Sequence, residues 1–278
     1  MPEALHVHGP DPAFVVRVLD VAIVAGRIFA IGGAQGCGKS TLAARMVGLA
    51  RERGVRAITL SLDDVYLDRP QRLALARDVH PLLATRGPPG THDIALMSDV
   101  LDALRDGRRA RLPRFDKLTD RRLPERDWPR VDRCDLTIVE GWCLDIPAES
   151  PDALVTPMNT VERDEDIDGT WRRYCNDALA RDYPALWSRL PHLLYLEPPS
   201  FEVVPAWRWE QEQAARASRP TAPGMSRADI DRFVQLFERV TRRGMATLPA
   251  IARHVVHLDG MRTPHPDDMA RLAPTIGG

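Results

Sequence analysis

Residues 28–41 read IFAIGGAQGCGKST, and this stretch decides the fold. A short apolar run, Ile28-Phe29-Ala30-Ile31, meets a glycine pair and passes into an amphipathic segment. From Gly33 to Ser40 the spacing is G-x-x-x-x-G-K-S, the phosphate-binding loop that joins a strand to a helix. Glycines let backbone N–H groups turn inward around phosphates, and the following helix presents its positive end to them. On this reading Gly33, Ala34, Gln35, Gly36, Cys37, Gly38, Lys39, Ser40 and Thr41 bind a nucleotide triphosphate. Lys39 reaches the β- and γ-phosphates, and the Ser40 hydroxyl holds Mg²⁺. Cys37, close to a helix N-terminus, is expected to be a reactive thiol that nucleotide protects from alkylation.

Working outward, Leu42, Met46 and Ala50 continue at helical spacing until Gly54. Val55–Leu62 (VRAITLSL) is then β-rich, so strand, helix and strand imply a right-handed crossover and a parallel sheet. That second strand ends in Asp63-Asp64-Val65-Tyr66, and ligands of open α/β sheets bind beyond the carboxyl ends of strands. One carboxylate would accept the proton of an attacking hydroxyl while the other helps organise Mg²⁺; Asp63 is our choice of base. Cys134–Val139 reads as a buried strand ending in Glu140, where an acidic metal-holding residue is expected. Further strands are expected at Leu193–Leu196 and His254–Leu258, and helices over 13–24, from Ile94 to Gly107, within 160–190 and from Ser226. In that last helix Ile230, Phe233, Phe237 and Val240 form an apolar stripe.

The chain of 278 residues has 44% hydrophobic and 28% charged residues, those of an ordinary globule. Its net charge of −1 gives no support for a nucleic-acid partner, and no apolar run is long enough to span a bilayer. MPEALHVHGP lacks the regions of a signal peptide, and four cysteines without metal spacing point to the cytoplasm. Of 38 basic residues only Lys39 and Lys117 are lysines. An ammonium is a compact point charge and a guanidinium a planar fork. Lys117 is therefore a candidate for a second active-site lysine. Residues 80–93 form a proline- and glycine-rich loop carrying Arg86, His92 and Asp93, and loops of that length are uncommon unless functional or disordered. The polar run after Lys117 reads as a flexible flap with mostly solvated charges. The helix beginning VVPAWRWEQEQAAR places Arg208 and Arg216 where they could fold over a transferring phosphate as a lid, broken by Pro220 and Gly224. The proline-rich tail reads as peripheral.

Taken together, SLDDVYL (61–67), TRGPPGTHD (85–93), PRFDK (113–117), IVEGW (138–142) and the WRWEQEQAAR…GMS…FV block (207–234) resemble plant- and fungal-type D-glycerate 3-kinase. That family sits with the phosphate-loop kinases of small molecules, such as uridine kinase and phosphoribulokinase, and the resemblance covers most of residues 28–264. It implies a P-loop NTPase fold of the α/β class, with about five parallel strands flanked by helices and with lid and acceptor-site insertions. Residues 1–278 would form one kinase domain, with an N-terminal extension (1–26), acceptor-site loops and flap (80–130) and a lid (200–225). The implied reaction is ATP- and Mg²⁺-dependent phosphorylation of D-glycerate at its 3-hydroxyl. Carried over by motif, Lys39, Asp63 and Lys117 are catalytic. Ser40, Asp63 and Glu140 hold metal, and Asp64, Tyr66, Arg86, His92, Asp93 and Lys117 meet the acceptor. Val65 stands where relatives carry an aromatic, and the stretch after Lys117 lacks a glycine-rich G-D-R. Both departures lie on the acceptor side. A kinase of another hydroxy-acid, sugar or nucleoside, or a regulatory ATP-binding protein, are the competing readings.

Overall fold

Five parallel strands carry the molecule: β1 (Ile28–Gly33), β2 (Ala57–Ser61), β3 (Leu136–Gly141), β4 (Leu193–Glu197) and β5 (His254–His257), in the order β2-β3-β1-β4-β5. They belong to a computed structural model that describes residues 9–218 and 224–272. The phosphate-loop strand lies at the centre, between β3 and β4. Alternation along β1 divides the core between the two faces of the sheet. Ile28 and Ala30 share a core with helices α3 (Arg69–Asp78), α4 (Ile94–Arg105), α5 (Thr170–Arg181) and α7 (Arg227–Ile251). Phe29 and Ile31 pack with α1 (Pro12–Ala25) and α2 (Lys39–Glu52). Both β1 and β3 are buried along their whole length, as expected of strands covered on two faces. Each fully buried aliphatic or phenyl side chain there contributes about 1.5–3 kcal/mol. Among the described residues no helix is long and apolar enough to cross a membrane.

Two expectations change in this frame. The tail is not merely peripheral: Asp268, in a short helix (Pro266–Arg271), accepts from both the backbone N–H of His257 and its ring Nδ1, and Leu272 is buried in the core. Polar residues there mask an apolar anchor one turn away. Nor is the flap without regular structure. Phe115–Asp116 pairs with Arg121–Arg122 as a short hairpin, and Ala110–Arg111 pairs with Arg130–Val131 at its root. Both ribbons are too short for a periodicity of two to register in sequence. Helix α6 (Val204–Ser218) follows β4, and its expected break at Pro220 lies outside the described residues. Ser226 and Asp229 form the reciprocal cap that starts α7.

Candidate active site

The loop after β1 turns on glycines in conformations that other residues resist. Gly36 has φ 79°, and a Cβ there would lie 2.7 Å from Trp207 Cβ, so helix α6 rests directly on the loop. Gly38, at φ 97°, admits the chain to α2. Lys39 is buried and donates to the Ala34 carbonyl at 2.8 Å. Cys37 is 3% exposed, packed beneath the loop with Sγ 3.8 Å from the Lys39 ammonium. That burial closes the thiol to the alkylation expected of it.

Strand register brings the next residues together. Ser61 at the end of β2 lies beside Glu140 on β3, which lies beside Ile31 on β1. Glu140 is buried, and its Oε1 accepts from Ser40 Oγ at 3.1 Å and from Ser61 Oγ at 2.6 Å. These are oxygen donors only, the set a hard cation such as Mg²⁺ takes while keeping waters and substrate oxygens as its other ligands. The residues present therefore fit the ion. Ser61 was not foreseen from sequence; only the register reveals it.

Asp63 belongs to a different set of contacts. Ser61 also accepts from the Asp63 N–H, starting a turn (Leu62–Val65) that aims the two aspartates away from β2. Asp63 takes an ion pair from Lys117 at 2.6 Å and a hydrogen bond from the Tyr66 hydroxyl. Burial favours its protonated form, yet Lys117, Tyr66 and the nearby His92 outweigh it and hold the carboxyl down to about 2. Asp64 turns instead to Arg114 at 3.0 Å and the Phe115 N–H at 3.4 Å. Burial still raises its pKa against the pull of Arg114. The neighbours are thus sorted, one onto the hairpin's lysine and the other onto its arginine.

Residues 65–67 and 91–93 run side by side, with Leu67 N–H donating to Thr91 O at 2.8 Å and Asp93 N–H to Val65 O at 2.7 Å. This bridge unites two of the sequence motifs. His92 is buried against Tyr66, with Nδ1 2.6 Å from the Tyr183 hydroxyl. Burial drives its pKa down to about 4, Asp63 opposing, so the ring is neutral near pH 7 and brings no charge to an acceptor. Asp93 caps α4 through the Leu96 N–H and pairs with Arg122 at 3.0 Å. Arg86 donates through Nη1 to Asp120 at 2.8 Å, and its guanidinium lies 5.9 Å from the Phe115 ring centre. The other carboxylate oxygen of Asp120 receives Arg72, itself 1% exposed, at 2.6 Å. Among the described residues, Nε and Nη2 of Arg86 make no hydrogen bond, leaving that edge of the fork open.

The flap's charges were expected in solvent, but Asp120 and Arg122 turn inward, because the hairpin folds over the end of β2. Asp120, Arg122 and Arg72 escaped sequence reading, being charged residues in charged surroundings; Arg114 is marked by the PRFDK motif, but not its partner Asp64. Of the two lid arginines, Arg208 feels Arg86 and Asp63 electrostatically, and burial together with Arg86 lowers its pKa while Glu212 and Asp63 oppose. Arg216 is held by the Met225 carbonyl, Glu212 and the face of Trp209.

The assembled parts are a phosphate loop, a corner of oxygen donors, and a hairpin that delivers a lysine to an aspartate. Comparison with known proteins finds kinases. No protein-family model matches the chain. The uncharacterized kinase mug58 of Schizosaccharomyces pombe is 32% identical over 222 residues, 75% of this chain and 78% of that one. The chloroplastic D-glycerate 3-kinase of Arabidopsis thaliana is 28% identical over 232 residues, 78% of this chain and 47% of that protein. The structure of D-glycerate 3-kinase from Cryptococcus neoformans matches with a TM-score of 0.75 at 23% identity, covering 92% of this chain and 98% of that one, a likeness of fold. With 32% identity to mug58 over three quarters of its length, the chain belongs to the plant- and fungal-type D-glycerate 3-kinase family of P-loop small-molecule kinases.

Proposed function

We propose that this kinase transfers the γ-phosphoryl group of ATP to the 3-hydroxyl of D-glycerate, giving 3-phosphoglycerate and ADP. The observation that carries the reading is the pairing of Asp63–Lys117 with Arg86 on adjoining segments. A hydroxyl needs a proton acceptor, and a small carboxylate needs a cation with a free bidentate edge. The first pair offers the former and Arg86 the latter. A neutral sugar or nucleoside would leave a partly buried guanidinium edge without a partner, at a cost in desolvation.

In this mechanism the acceptor oxygen bonds to the γ-phosphorus in line as the bond to the β–γ bridging oxygen breaks, and ADP departs. Phosphoryl transfer is mostly a matter of positioning and electrostatics, so the base acts late. Asp63 orients the hydroxyl and takes its proton, and Lys117 fixes Asp63. Lys39 and the loop N–H groups hold the β- and γ-phosphates. Ser40 and Glu140, supported by Ser61, would hold Mg²⁺. When bound, that ion neutralises charge on the phosphate oxygens. Arg208 approaches from α6 on the side of Asp63 and Arg86.

The test is a panel of acceptors with purified protein, ATP and MgCl₂: D-glycerate, L-glycerate, glycolate, lactate, uridine and free sugars, read as ADP release. D-Glycerate should turn over with one ADP per product and a phosphomonoester on its C3 oxygen by ³¹P NMR. No release above blank with D-glycerate, alongside brisk release with a nucleoside or sugar, would overturn the assignment.

A further inference from the structure

The turn after β5 makes a contact that no sequence motif points to. Arg262 lies in the left-handed region at φ 67°, a conformation that non-glycine residues rarely adopt and that tends to persist where surroundings over-determine it. The surroundings do so here. Asp259 Oδ1 accepts from the Met261 and Thr263 N–H groups, each at 2.8 Å, and Asp259 O accepts from Arg262 N–H at 3.0 Å. So held, Arg262 uses the Nε–Nη2 edge of its guanidinium. Nε donates to the Gly36 carbonyl at 2.6 Å, Nη2 pairs with Glu210 at 2.6 Å, and the guanidinium lies 5.1 Å from the Trp207 ring centre. Trp207 is buried and donates Nε1–H to the Gly260 carbonyl at 2.8 Å, which closes the ring of contacts.

Gly36 C=O and Cys37 N–H belong to one trans peptide, so they point in opposite directions. Drawing the carbonyl outward to Arg262 aims the Cys37 N–H inward, where it faces the Ala34 carbonyl at 3.4 Å, the same oxygen that the Lys39 ammonium contacts. We infer that Arg262 is a positioning residue for the phosphate loop: it fixes the Gly36–Cys37 peptide with its N–H on the phosphate side and ties the loop to helix α6. Trp207 and Glu210 lie on the same helix as Arg208, so that arginine is registered to the loop through Arg262. The inference concerns the nucleotide end and stands whichever acceptor is used.

Two readouts without acceptor test it: MgADP binding by calorimetry, and the amide spectrum of protein labelled with ¹⁵N-cysteine, with Cys37 assigned from Cys37→Ser. Arg262→Ala should weaken MgADP binding about tenfold, the scale of one charge-assisted hydrogen bond. It should also displace the Cys37 amide signal before any nucleotide is added, with Cys134, Cys143 and Cys175 unmoved. Arg262→Lys keeps the charge but cannot serve Gly36 and Glu210 together, so it should fall between Ala and wild type. It serves alone if the alanine variant does not fold. Binding within twofold of wild type, an unmoved Cys37 signal, or displacement of all four signals with a fall in melting temperature would each overturn the role.

Discussion

Asp63 has opposing pressures on its proton: burial resists ionisation, and Lys117, Tyr66 and His92 enforce it, leaving the carboxyl at about 2, below its ordinary 3.8. A depressed carboxylate stays ionised as pH falls until it nears its folded pKa. Wild-type kcat/KM should therefore show no acid limb from Asp63 above about pH 4. Removing the cation reverses the balance. In Lys117→Met, burial acts with less opposition, so a limb should appear and lie at higher pH than in wild type. The rate at its optimum should fall by about 10²–10³, the cost of one well-placed electrostatic group. A pH–rate profile of the two proteins checks both; an unmoved profile with an unchanged rate would make Lys117 a surface residue. At this scale Lys39, Glu140 and the Asp63-Asp64 pair were legible, because the phosphate-loop spacing and the ends of apolar strands mark them. Ser61 and Asp120 were not. A serine in a β-rich run and an aspartate among arginines carry no periodic signal, and each gained its role from a partner at least 34 positions away.

The hairpin 113–123 is an element whose parts mean little singly. Arg114 meets Asp64, Lys117 meets Asp63, Asp120 bridges Arg86 and Arg72, and Arg122 joins Asp93 to the Tyr66 carbonyl. Asp120 itself is at φ 55°, a left-handed conformation that aspartate tolerates better than most residues. Its Oδ1 orients Arg86 while leaving the far edge of that fork open. Asp120→Asn should keep the shape but weaken both pairings, raising the acceptor KM about tenfold and leaving the ATP KM within about twofold. Steady-state kinetics with each substrate varied in turn makes the measurement. A lower acceptor KM would instead mean that Asp120 competes with the acceptor for Arg86. The FDK motif announced that this segment mattered, but not that it folds as a ribbon. Two-residue pairings are held by side chains reaching to the turn after β2 and the 85–93 loop, and local propensity does not encode them.

Across the whole molecule, the segment 149–162 and α7 are fastened by buried charge as well as by apolar packing. Arg239 of α7 is held bidentately by Glu162 at 2.7 and 2.6 Å, by Glu149 at 3.1 Å, and by the carbonyls of Ala153 and Thr156. Both Arg239 and Glu162 are buried. Arg239→Leu should cost about 3–5 kcal/mol by stranding Glu162, whereas Arg239→Leu with Glu162→Leu should cost less, because no buried charge is left alone. Chemical denaturation of the three proteins would show it; a double variant no more stable than the single would place the loss in shape. The stripe of Ile230, Phe233, Phe237 and Val240 foretold the helix and its packed face, with Phe233 only partly buried, but not the arginine within it, since an Arg beside an apolar stripe ordinarily reads as solvated. By itself the sequence determined the parallel α/β frame, the central phosphate loop and the acidic strand ends. Those depend on local backbone freedom, apolar periodicity and the rule that ligands meet strand carboxyl ends. Only the tertiary structure decided which charges face one another: Ser61 with Glu140, Asp120 with Arg86, Arg262 with Gly36. Such pairs are chosen by register and by loops closing over tens to hundreds of residues, and their energies exist only once both partners have left water.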